Sequence, residues 1–168
     1  MLRKLFVIVT VFTGFILQTS VFSHLHLGGV VPNLLLIITA TFGFMRGRDE
    51  GMIVGAMCGI LTDIFFGGIF GFYALIYVFI GYLNGFFKYI FYPEDIKLPM
   101  ILITVSDFIY LMLTYVFLYL LRGRANLGYY FVHIILRELV YTVLITIVLY
   151  KIIVYINEKI EIYEMRRA

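Results

Sequence analysis

The 168-residue chain has no tryptophan, a single cysteine and three prolines, and charged side chains make up only 14% of it. Each shortage excludes something. A soluble protein carries roughly 25% charged residues, so there is too little polar side chain here to clothe a water-facing surface. The lone thiol, Cys58, can form no internal disulfide and no metal cage. Its place inside an apolar run makes it a small buried hydrophobe. His24 and His26, two apart on a loop, lack a third ligand close in sequence, and His133 lies far away. There is no phosphate-binding glycine loop, dinucleotide fingerprint, nucleophile elbow or His-Glu-x-x-His pair. No catalytic group, metal or cofactor is therefore expected. The net charge of +3 is spread over segment ends rather than gathered in a patch, so nucleic acid is not an expected partner.

What is present is apolar: 63% of residues are hydrophobic, and the mean hydropathy is +1.04. Water would not keep such a chain in solution, but a bilayer accepts it, because each helix satisfies its own backbone hydrogen bonds. Six stretches have the character of membrane spans: about Leu5 to Phe22, Val30 to Met45, Gly51 to Phe66, Phe72 to Ile90, Leu98 to Leu121 and Tyr129 to Val154. The second and third are short. Pro32 is expected in the first turn of the second span, where a missing N–H costs nothing. Arg46 to Glu50 reads as a charged turn, Gly67 to Gly71 as a joint, Tyr92 to Lys97 as a break, and Arg122 to Asn126 as an exit loop. The apolar start lacks a small-x-small cleavage site and reads as an uncleaved first span. Residues 1–154 then form one six-helix, all-α transmembrane domain, and residues 155–168 a cytoplasmic tail with an amphipathic helical pattern, its Arg166 and Arg167 suited to anionic membrane lipid.

Lysine and arginine set the orientation. With the amino terminus inside, the inner joints hold Arg3, Lys4, Arg46, Arg48, Lys88, Lys97, Lys151, Lys159, Arg166 and Arg167, against Arg122 and Arg124 outside. Both termini are expected in the cytoplasm. Tyrosine takes the interfacial belt role, with Tyr89, Tyr92, Tyr150 and Tyr155 near the inner face and Tyr119, Tyr129 and Tyr130 near the outer one.

The third span places Gly51, Gly55, Gly59, Asp63 and Gly67 four apart, with Gly71 following. Small residues at this interval let helix backbones approach closely in lipid. The stripe drifts around a straight helix, so three of its positions face one neighbour better than five. Asp63 lies roughly 6 Å below the outer surface and Arg137 roughly 12 Å, which makes Asp63–Arg137 the expected ion pair. Gln18 and Glu138 share that outer half. Asp107, roughly 13 Å above the inner face, is too low for Arg137, and Asn84 is its expected hydrogen-bond partner. A polar helix–helix contact is favoured over transport chemistry.

Several stretches resemble the rod shape-determining protein MreD family. They are Leu17-Gln18-Thr19, Val31-Pro32-Asn33-Leu34-Leu35-Leu36, the glycine-spaced run from Gly51 through Asp63 to Gly67, Gly71-Phe72-Tyr73-Ala74-Leu75, and Gly81-Tyr82-Leu83. Asn33 stands where that family often has aspartate. The resemblance covers about the first half of the chain. It implies a non-enzymatic protein of the bacterial cytoplasmic (inner) membrane that acts in lateral cell-wall elongation. The implied partners are a membrane-anchored MreC-like protein, the MreB filament, and RodA with its transpeptidase. The implied fold is similar to the six-helix substrate-binding subunits of energy-coupling-factor vitamin transporters. That likeness supplies the alternative function, a small-solute binding subunit of a transporter, for which Gln18, Asp63, Arg137 and Glu138 could line an outward pocket. An intramembrane enzyme lacks a nucleophile and base at recognisable spacing.

Overall fold

The computed structural model describes residues 2–25, 29–67, 69–90, 92, 95–118, 128 and 131–166. Within them the protein is all-helical, with six helices and no strand. His26, Tyr119, Tyr129, Tyr130, Pro93 and the loop with Arg122 and Arg124 lie outside the described residues, as does Arg167.

Helix α1 (Leu2–His24) is apolar almost throughout and winds as a π-helix over Leu17–Val21. It buries Val7, Val11, Gly14 and Phe15. Leu5, Val9, Phe12 and Ile16 stay exposed, as suits a face turned to lipid.

Helix α2 (Leu34–Arg46) is the centre of the molecule. Every residue from Leu34 to Met45 is buried. A helix apolar all round is a helix enclosed by others, and its neighbours are the other five helices together with the 3-10 turn at Phe86–Ile90. Thirteen residues rise about 20 Å, short of the roughly 30 Å of hydrocarbon in a bilayer. Residues 31–33 supply the rest of the path without regular structure. Pro32 therefore precedes the helix instead of occupying its first turn, because Asn33 takes the N-cap position.

The charged turn expected over Arg46 to Glu50 contracts to one residue. Gly47, at φ +104°, ends α2 and starts α3 (Arg48–Phe66). That backbone is natural only to glycine. Asp49 and Glu50 fall in the first turn of α3, where the helix dipole favours anions.

Helix α4 (Phe72–Ile90) is α-helical to Gly85 and 3-10 from Phe86 to Ile90. Helix α5 spans Lys97–Leu118. Helix α6 opens as a π-helix over Phe131–Ile135 and continues as an α-helix from Leu136 to Met165. It runs unbroken past residue 154, burying Ile153, Val154 and Asn157. Tyr150, expected at the interface, is 1% exposed, because it lies on the face of α6 turned to the bundle. Tyr89, Tyr92 and Tyr155 are exposed.

Among the described residues four helices, α1, α4, α5 and most of α6, are long and apolar enough to cross a membrane. Arg3 meets Glu161 at 3.3 Å and Glu164 at 3.1 Å, so both termini sit at one end of the bundle. The α2–α3 turn shares that end, since Arg46 reaches Asn157.

Candidate functional site

The closest helix pair is α3 with α4. A Cβ at Gly51, Gly55 or Gly59 would fall closer than 3.0 Å to the backbone of Gly81, Tyr77 or Ala74 respectively. Gly81 and Gly85 return the arrangement from α4, meeting the backbone of Gly51 and Arg48. The interval of four places these glycines on one ridge, and backbone contact of this kind associates helices in lipid. Gly67 and Gly71 sit in the joint beyond the seam. Gly71 holds φ +96° as the residue before α4.

Asp63 is 3% exposed. Its carboxylate accepts hydrogen bonds from the backbone N–H groups of Gly71 (3.1 Å), Tyr73 (3.0 Å) and Ala74 (2.9 Å). Gly71 has no side chain with which to cap α4, so Asp63 caps it from the preceding helix. The anion disfavoured at the end of α3 thus lies at the positive end of α4. The expected ion pair with Arg137 is not formed. Three charge-assisted hydrogen bonds already occupy the carboxylate, and Arg137 is exposed on α6.

A second polar layer closes the buried start of α2. The first N–H groups of a helix have no partner within it, and here they lie inside the protein. Asn33 Oδ1 accepts from Leu36 N–H at 3.2 Å. Gln18 Oε1, from the π-turn of α1, accepts from Leu35 N–H at 3.1 Å. Tyr77 O–H of α4 donates to Asn33 Oδ1 at 2.8 Å, and Asn33 N–H donates to Thr142 Oγ1 of α6 at 3.2 Å. Helices α1, α4 and α6 therefore meet at the head of α2.

Asp107 lies beside this layer on α5 and is 0% exposed. Neither of its carboxylate oxygens has a hydrogen-bond partner among the described residues. The Thr142 hydroxyl of α6 lies near enough to act on the carboxylate short of a full hydrogen bond, and Glu138 of α6 and the phenols of Tyr77 and Tyr110 are its electrostatic neighbours. Glu138 is half-buried. The expected Asn84–Asp107 bond is absent: Asn84 Nδ2 donates to Ser106 Oγ at 2.8 Å and to Ile80 O at 2.9 Å. Adjacent residues on a helix point about 100° apart. Ser106 thus faces α4, and Asp107 faces α6.

At the opposite end Arg46 joins three helices. Its Nε donates to Asn157 Oδ1 at 3.0 Å, its Nη1 donates to Glu50 Oε2 at 2.9 Å, and the guanidinium lies 5.1 Å from the centre of the Phe42 ring.

Sequence reasoning singled out Gln18, Asp63, Asn84, Asp107, Arg137 and Glu138. The structure brings Asp107 and Glu138 into one neighbourhood, sets Gln18 at the head of α2, and leaves Asp63 and Asn84 in separate contacts. It also adds Asn33, Tyr77, Thr142, Arg46 and Asn157. Asn33 carried a readable signal, since asparagine directly before an apolar run is a preferred N-cap. Tyr77, Thr142 and Asn157 carried none.

A bundle with lipid-type outer faces and polar groups turned inward defines an integral membrane protein. The profile of the rod shape-determining protein MreD family matches residues 1–160, and the chain belongs to that family. Comparisons with curated proteins and with solved structures gave no match.

Proposed function

We propose that the protein is a non-enzymatic component of the bacterial cell-elongation (rod) machinery in the cytoplasmic membrane, crossing it with both termini in the cytosol. It binds a membrane-anchored MreC-like partner, and through it works with the MreB filament and with RodA and its transpeptidase to regulate lateral peptidoglycan synthesis. The family match over residues 1–160 carries this reading. Two further observations support it. The termini share one end of the bundle with the basic α2–α3 turn, as the positive-inside rule requires of the cytosolic side. Large apolar side chains on α1, α3, α4, α5 and α6 stay uncovered and are available to lipid or to a partner's membrane helix. The glycine ridge of α3 is covered by α4, so partner contacts fall on faces other than that ridge.

The solute-binding alternative draws no support from Gln18 and Asp63, which hold backbone N–H groups.

Affinity purification of a tagged chain from native membranes tests the reading. Co-purification of the MreC-like protein is the expected outcome. Recovery of transporter ATPases in its place would overturn it. A reporter fused to the carboxyl end should be active in the cytosol, and activity outside would reverse the orientation.

A further inference from the structure

We propose that a groove between α1 and α3, at the end of the bundle that carries the termini, holds one anionic phospholipid. Its phosphate lies at Lys4 on the rim and an acyl chain lies along the apolar floor. The groove encloses about 460 Å³. Its floor is hydrocarbon, from Val7 of α1 and Val54 and Met57 of α3. Ile8 and Ile53 on its walls are exposed, so the groove opens sideways to the hydrocarbon of the bilayer.

Charge decides the headgroup. Three cations, Arg3, Lys4 and Arg46, line the groove with one carboxylate, Glu50. Glu50 is already held by Arg46 at 2.9 Å. Arg3 is held by Glu161 and Glu164, which offset its charge from outside the groove. Lys4 has no ion-pair partner among the described residues. The first turn of α1 is at the same end, and its free N–H groups and dipole add positive potential. The unpaired Lys4 ammonium above a hydrocarbon slot matches an acidic headgroup with its tail. A zwitterionic headgroup would bring its own cation to the same rim and lose the advantage. Loss of one basic contact at a membrane surface lowers binding about fivefold.

Native mass spectrometry of the full chain, extracted from vesicles of equal phosphatidylglycerol and phosphatidylcholine, reads the site. One phosphatidylglycerol per chain should be retained in preference to phosphatidylcholine. Lys4→Gln, on an exposed side chain, should reduce that retention about fivefold. Met57→Trp, which fills the floor and leaves the charges alone, should reduce it at least as much. Equal retention of the two lipids, or unchanged phosphatidylglycerol retention in either variant, would overturn the proposal.

Discussion

The carboxylate of Asp63, in the last turn of α3, accepts a hydrogen bond from the backbone N–H of Ala74, the third residue of α4, at 2.9 Å. With the bonds from Tyr73 and Gly71 it fixes where α4 begins and how closely the glycine seam can shut. The joint between the two helices is thereby a structural part of their packing.

Loss of this cap is expected to be costly. Asp63→Ala leaves buried N–H groups unpaired and should destabilise the protein by about 1–2 kcal/mol. Asp63→Asn keeps an acceptor oxygen and should lose less. Thermal unfolding in detergent reads both. Reversing Asp63 and Arg137 together should not rescue the single variants, because the two residues are not paired. Recovery of stability in the swapped protein would contradict the cap.

The seam predicts a graded response to side-chain volume. Gly55→Ala puts a methyl group against the backbone of Tyr77 and should lower stability by about 1–3 kcal/mol through overpacking. The same change at Gly128, with nothing within 4 Å, should be close to neutral. Equal melting shifts for the two would show that backbone contact is not what limits this position.

Arg46 and Asn157 should behave as a coupled pair. Each truncation alone removes the bond between the end of α2 and α6. The double variant Arg46→Ala with Asn157→Ala should therefore fall short of the summed effects by about 0.5–3 kcal/mol. Arg46→Lys should not substitute, since a lysine ammonium lacks the planar fork that reaches Asn157 and Glu50 together. Strict additivity in the melting data would remove the coupling.

Asp107 makes the opposite kind of prediction. A buried carboxylate with no hydrogen-bond partner is a cost to folding. Asp107→Leu should leave stability unchanged or raise it by about 1 kcal/mol or more. If rod shape is lost in cells at the same time, Asp107 is retained for function at the expense of stability. A destabilised, poorly accumulating variant would mean that its oxygens are paired in the native membrane.

Much of the helical skeleton was legible because the rules behind it are local. The span from Phe72 to Ile90 agrees at both ends with a helix, since glycine joints and apolar runs mark themselves in the chain. The four-residue interval of Gly51, Gly55 and Gly59 announced a flat ridge, and chemistry alone says what such a ridge does in lipid. Structure and expectation part where a boundary rests on a cap: Pro32 lies before α2 because Asn33 is its N-cap, and the single glycine Gly47 makes the turn between Arg46 and Arg48.

By itself the sequence determined that the chain is helical and built for a bilayer, and that a few polar residues lie within its spans. These follow from composition and periodicity, which need no knowledge of neighbours. Only the tertiary structure decided what those polar residues do. The bond from Tyr77 to Asn33, the capping of α4 by Asp63 and the enclosure of α2 by the other helices depend on rotations and depths of helices far apart in the chain. Depth counted along a single helix puts Asp63 and Arg137 within reach of each other. The rotation of α3 and α6 in the bundle turns one to the start of α4 and the other outward.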